Sequence, residues 1–175
     1  FTMDVLYRTG QVDQAAAYLK WLLHQCKVTN GRTRTVYGIS ANSSLRETTL
    51  DHLEGYGGSR PVRIGNGAVG QLQLDVFGEV ILGMHTLFSN GGVISDEAWS
   101  LVENFAEVVC NNWSLKDRGV WEVRGAKRHF VYSKMMCWAT LDRAVKLAKL
   151  LGRDGDSARW IQVAGEIREE IMLKG

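Results

Sequence analysis

Residues Gly67–Phe88 read GAVGQLQLDVFGEVILGMHTLF. Val69, Leu72, Leu74, Val76, Phe77, Val80, Ile81, Met84, Leu87 and Phe88 go nearly all the way round a helical wheel. A helix apolar on most sides belongs inside a layered helical assembly, not on the wet face of a small bundle. One helix is therefore expected from about Gly67 to Phe88. Upstream, Val12, Ala15, Ala16, Leu19, Leu22, Leu23 and Cys26 recur at i, i+3, i+4 and i+7 and predict a helix from Val12 to Cys26, ended by Asn30-Gly31. Downstream, Ser95 reads as an N-cap with Asp96 and Glu97 in the positive first turn, and Trp99, Val102, Phe105, Ala106, Val109 and Trp113 form one stripe. A fourth helix is expected from about Ser133 to Leu151 with Gly152 at C′, carrying Trp138, Leu141, Val145 and Ala148 on one face. A fifth begins near Asp156 and carries Trp160, Ala164, Ile167 and Ile171. Neighbouring helices of this length predict an all-α fold.

From Gly31 to Gly65 no helical period holds. Thr35-Val36-Tyr37-Gly38-Ile39 and Pro61-Val62-Arg63-Ile64 read as short strands, and Ser43-Ser44 and Gly55-Tyr56-Gly57-Gly58 as turns. Long irregular connections of this kind are usually functional. No internal repeat, low-complexity tract or domain boundary interrupts the chain.

The composition is that of an ordinary globular domain: 175 residues, 45% hydrophobic, 23% charged, net charge +2. That near-neutral balance, with no basic run, predicts no nucleic-acid partner. No apolar run reaches the 18 residues of a membrane span, and Phe1-Thr2-Met3-Asp4 lacks the basic start and apolar core of a signal peptide. Cys26, Cys110 and Cys137 are widely spaced without a CxxC pair, which fits free, buried thiols in a reducing compartment, and a cytoplasmic location is expected.

Gly65-Asn66-Gly67-Ala68-Val69-Gly70 matches GxGxxG, but position 90 is Asn90, where a dinucleotide site needs an acidic residue, and no alternating strands surround it. It reads as a helix-start turn. His24, His52, His85 and His129 show no metal spacing, and His52-Leu53-Glu54 lacks the PCxxC partner of a zinc deaminase. No metal and no cofactor is expected. Trp21, Trp99, Trp138 and Trp160 fall on apolar stripes, whereas Trp121 sits in a glycine-flanked turn beside Glu122. A carboxyl against an indole is one arrangement that keeps a carboxylic acid protonated near neutrality, fit for general acid work. Arg60, Arg63, Arg124 and Arg128 gather near these loops, and a guanidinium fork grips vicinal hydroxyls or a carboxylate.

Three blocks carry a resemblance: Leu50-Asp51-His52-Leu53-Glu54-Gly55-Tyr56; Gly58-Ser59-Arg60-Pro61-Val62-Arg63-Ile64-Gly65-Asn66; and Gln71-Leu72-Gln73-Leu74-Asp75-Val76-Phe77-Gly78-Glu79. With Gly119-Val120-Trp121-Glu122-Val123-Arg124-Gly125 and Arg128-His129-Phe130-Val131-Tyr132-Ser133-Lys134, the chain resembles glycoside hydrolase family 15, the glucoamylase type, from about Tyr37 to Leu151. It looks closest to the bacterial and archaeal branch that includes trehalases and other α-glucosidases.

The resemblance implies a glycoside hydrolase with an (α/α)6 toroid, an active site where loops meet at one end, and inverting hydrolysis of α-glucosidic bonds. It implies Glu122 as the general acid, Trp121 and Arg124 lining the glucose pocket, and Arg60, Arg63 and Asn66 beside the first sugar site. The implied ligand is an α-glucoside carbohydrate; which one is left open. Two departures bear on this. The family's catalytic base lies well C-terminal of its acid, yet the chain ends 53 residues after Glu122 with no carboxylate in a matching motif. The upstream Trp-x-Arg-Asp-type clamp is also missing. About five helices cannot close a double ring of twelve. Residues 1–175 are thus expected to be a fragment of a single (α/α)6 catalytic domain, a partial toroid with short strands in the loops, with little or no activity alone and self-associating through exposed barrel faces. The alternative is a non-catalytic helical interaction module, since the regulatory subunits of phosphorylase kinase also resemble this family.

Overall fold

The computed structural model describes residues 2–26, 34–38 and 45–175. Among the described residues six α-helices dominate: α1 (Thr2–Arg8), α2 (Val12–Gln25), α3 (Asp75–Ser89), α4 (Asp96–Asn112), α5 (Val131–Leu151) and α6 (Ser157–Lys174). Two strands, β1 (Thr48–Thr49) and β2 (Arg63–Ile64), pair antiparallel with Thr48 opposite Ile64 and Thr49 opposite Arg63. The fold is all-α with its short strands confined to a loop, as expected. Only the end of Pro61–Ile64 is a strand, and Thr35–Gly38 forms none. The Asn30-Gly31 stop, Ile39 and the Ser43-Ser44 turn lie outside the described residues. Among the described residues no helix is long and apolar enough to cross a membrane.

α3 is the hub. Phe77, Val80, Ile81 and Met84 are buried, and α1, α2, α4 and α5 all pack on it. Phe77 meets Phe105 of α4 edge-on, with centroids 5.1 Å apart. α5 and α6 form a hairpin whose turn is set by chemistry. Gly152 takes the left-handed conformation (φ 59°) that ends α5, and Asp156 caps α6 by accepting the Arg159 amide proton. Trp160 of α6 then packs against Trp99 of α4 at 6.4 Å. Ser95 caps α4 through the Ala98 amide, as its sequence predicts.

Two expectations are corrected. α1 was not foreseen: seven residues are too few to show a stripe, yet Met3 is buried and packs close to Gly83. The second helix does not begin at Gly67. Gly67–Gly70 is a 3-10 turn, residues 71–74 form no regular element, and α3 starts at Asp75. Leu72 and Leu74 are buried all the same, because their backbone groups bond to a distant loop described below.

The α3–α5 contact is close at one glycine. A Cβ on Gly78 would lie 2.5 Å from the Met136 carbonyl oxygen and 2.9 Å from Met136 Cβ. Helix propensity alone would make Gly78→Ala stabilising by about 1 kcal/mol. Overpacking against a backbone carbonyl wins instead, and the substitution is expected to cost about 1–3 kcal/mol in urea unfolding. Unchanged or increased stability would show that the two helices do not approach this closely.

Candidate active site

The site is built from Asp117 outward. This residue is 1% exposed. Its Oδ2 accepts the Leu74 amide proton at 2.9 Å and the Ser133 hydroxyl proton at 2.8 Å, so one carboxylate joins the N-terminal ends of α3 and α5. Its backbone exchanges two hydrogen bonds with Arg128, at 2.9 and 3.0 Å, closing the base of the 117–128 loop. The next amide, Arg118, donates to the Leu72 carbonyl at 3.0 Å. A carboxylate at two helix N-termini is favoured by both dipoles.

Glu122 sits in this closed loop with φ 51°, the one non-glycine residue with positive φ among those described. Such a conformation costs roughly 1–2 kcal/mol and persists where the surroundings over-determine it. Several contacts do so. The Glu122 amide donates to Gly119 O, Arg118 Nη1 donates to Val123 O at 3.1 Å, and Gln71 Nε2 donates to Glu122 O at 3.4 Å. Asn66 caps the 3-10 turn through Oδ1 and points Nδ2 at Glu122 Oε2, 3.5 Å away. The GxGxxG run thus supplies a polar wall to Glu122, and no long helix starts there.

These residues enclose a cavity of about 420 Å³ lined by Asn66, Gln71, Leu72, Arg118, Glu122, Arg124 and Lys127, with Gly67, Ala68 and Gly70. The volume falls in the roughly 300–1,000 Å³ range of small-molecule sites. Arg118 Nε is buried without a hydrogen-bond partner among the described residues. Of the residues singled out in the sequence, Glu122, Arg124 and Asn66 come together here. Arg63 joins from β2 at one remove, through Glu47. Arg60 is exposed, and Trp121 is 84% exposed; neither lines the cavity.

Glu47 was missed. Its carboxylate accepts from both Nη atoms of Arg124, at 2.9 and 2.6 Å, and pairs with Arg63 Nε at 3.4 Å. The hydrogen bond and charge of Arg124 hold this carboxyl down to about 2. A pair separated by 77 positions leaves no local signal. Gln71, bonded to Glu122 across 51 positions, was missed for the same reason; Arg118 and Lys127, close to Glu122 in sequence, were not singled out either.

The full length of the chain, residues 1–175, matches the family described as Glycosyl hydrolases family 15. The chain belongs to this family. Its relatives include a trehalase of Mycobacterium tuberculosis, 38% identical over all of this chain and 26% of its own length. A trehalase of Mycolicibacterium smegmatis is 36% identical over all of this chain and 27% of its own. One from Thermoplasma volcanium is 35% identical, with 28% of its length covered. The chain therefore spans little more than a quarter of the length of these relatives. No solved structure gave a significant match.

The first residue of α3 is another carboxyl, Asp75, 3% exposed, with Oδ1 lacking a partner among the described residues. Burial, with the charges of Asp117 and Glu79, raises it to about 6. A carboxyl ordinarily near 3.8 and raised in the folded state binds more protons folded than unfolded between those values. Stability should therefore fall as pH rises from about 4 to 6, by on the order of 2–3 kcal/mol. Asp75→Asn is expected to flatten that slope and to unfold at higher urea than the wild type at pH 7. An unchanged slope would contradict the burial argument.

Proposed function

We propose that the cavity around Glu122 binds the glucose unit of an α-glucoside, and that Glu122 is the general acid of its hydrolysis. The observation that carries this reading is the convergence of a strained, over-determined carboxylate, two amide side chains and three cations on one small cavity. Family membership and the trehalase relatives support trying trehalose first, with maltose and isomaltose beside it. In this reading Asn66 and Gln71 meet sugar hydroxyls, and Arg124, held by Glu47, presents a fixed guanidinium edge. Trp121 and Arg60, both exposed, would meet the part of the sugar outside the cavity.

The chemistry is inverting. The Glu122 carboxyl gives its proton to the glycosidic oxygen as the bond to the anomeric carbon breaks. A second carboxylate takes a proton from the water that attacks the opposite face. The two carboxyls would stand roughly 6.5–9.5 Å apart to leave room for that water. In the family pattern this base lies in a later loop, beyond these 175 residues. We therefore read the chain as part of a single (α/α)6 catalytic domain, its six helices being a segment of the double ring. Exposed apolar residues such as Ile161, Met172 and Leu173 on α6 support a tendency to associate through barrel faces. Burial pushes the thiol of Cys137 up to about 12 and that of Cys110 to about 11, so these are inert free thiols suited to the cytoplasm.

The test is backbone nuclear magnetic resonance of the chain titrated with trehalose, maltose and isomaltose, with glucose release measured in parallel. At least one sugar is expected to shift the amides of Asn66, Gln71 and Glu122. Without the base, glucose release is expected to be absent, since loss of one catalytic carboxylate costs orders of magnitude. No binding by any of the three, or binding at a different surface, would contradict the reading. Release by the wild type that Glu122→Gln abolishes would support the acid and overturn only the placement of the base.

A further inference from the structure

Arg124 stands two residues beyond Glu122 and lines the same cavity. A guanidinium never gives up its charge at accessible pH. Left alone beside a carboxylate it pairs with it, and an ion-paired carboxylate holds no proton to donate. Glu122 is near enough to contribute to the field that stabilises the Arg124 cation. Yet the hydrogen-bonding geometry is directed elsewhere. Both Nη atoms of Arg124 are engaged by Glu47, in the parallel two-bond geometry that is the strongest form of this pair.

Glu47 is held in place to do this. It sits just before β1, whose partner β2 brings Arg63 to 3.4 Å from its Oε1. The Gly67 amide also bonds its carboxylate. A Cβ on Gly67 would lie 3.5 Å from Glu47 Oε2 and 3.7 Å from Arg124 Nη1, so the glycine lies directly against the ion pair. The residue before it, Asn66, is the one that addresses Glu122. One carboxylate therefore ties the β1–β2 hairpin, the Asn66-Gly67 turn and the Glu122 loop together.

We propose that Glu47 is a positioning residue whose carboxylate takes up the Arg124 fork and so keeps that cation off Glu122. This rests on the reading of Glu122 as the acid, because only an acid that must carry a proton needs a neighbouring cation diverted. Glu47 does not line the cavity and touches no reacting atom. Its effect runs through Arg124. In its absence the carboxylate nearest in sequence to the freed guanidinium is Glu122, which would exchange its long contact with Asn66 for a charged pair.

The experiment follows the guanidinium resonances of Arg124 in the 175-residue chain, without sugar. Four proteins are compared: wild type, Glu122→Gln, Glu47→Gln and the Glu47→Gln/Glu122→Gln double variant. In the wild type, Glu122→Gln is expected to leave the Arg124 signals in place. In the Glu47→Gln background, the same second substitution is expected to shift or abolish them, because Arg124 has moved to Glu122. A loss of general structure would not produce this conditional dependence. Where Glu47→Gln does not fold, Glu47→Ala, which also removes the carboxylate, carries the same expectation. Arg124 signals indifferent to Glu122 in both backgrounds would overturn the proposal, as would equal sensitivity in both. The sugar titration above is independent of this result. Failure here with sugar binding intact removes only the role of Glu47, and the converse removes only the sugar site.

Discussion

The carboxylate of Asp117 is the constraint on which the site depends. It has no solvent to fall back on, and its Oδ2 accepts from Leu74 at the start of α3 and from Ser133 at the start of α5. Those two helices carry the most extensive packing in the fold. Taking the carboxylate away would leave an amide and a hydroxyl in the interior without an acceptor, at a cost of roughly 1–3 kcal/mol each. Because the same residue closes the 117–128 loop through Arg128, the position of Glu122 is inherited from the helical core. The loop is exposed over much of its length, yet its base is as rigid as the helix ends that hold it.

From that base, polar contacts from elsewhere in the chain converge on a strained residue. Glu122 adopts a backbone conformation that few side chains tolerate, and Gln71, Asn66 and the side chain of Arg118 hold its surroundings. None of these bonds is strong alone. Together they hold the backbone from which the Glu122 carboxylate projects, with Asn66 Nδ2 directed at its Oε2. The same logic explains the cluster of charges around Glu47. A cavity wall with three cations would attract any free carboxylate, and the clamp decides which one is taken.

The helices were legible because their packing is periodic and their ends carry local chemistry. Ser95, Asp156 and Gly152 each act where the sequence puts them. The start of α3 was not legible. Residues 67–74 are apolar enough to continue the helix, but Leu72 and Leu74 use their backbone groups on Arg118 and Asp117, more than forty positions away. Tertiary bonding overrode the period there. Glu122 stood out only through its family motif, and Trp121 beside it turned out to face solvent instead of covering it. Glu47 lies in none of the family blocks, and Gln71 opens one without its role being marked. Their roles come from partners 77 and 51 positions away, which no local pattern encodes.

The account is tested most directly by a crystal structure of the chain with trehalose, or whichever α-glucoside it binds, seated in the Glu122 cavity. It predicts a Glu122 carboxyl oxygen within roughly 2.6–3.2 Å of the glycosidic oxygen, with Arg124 still on Glu47. A sugar bound with its glycosidic oxygen turned away from Glu122, or bound outside this cavity altogether, would contradict it.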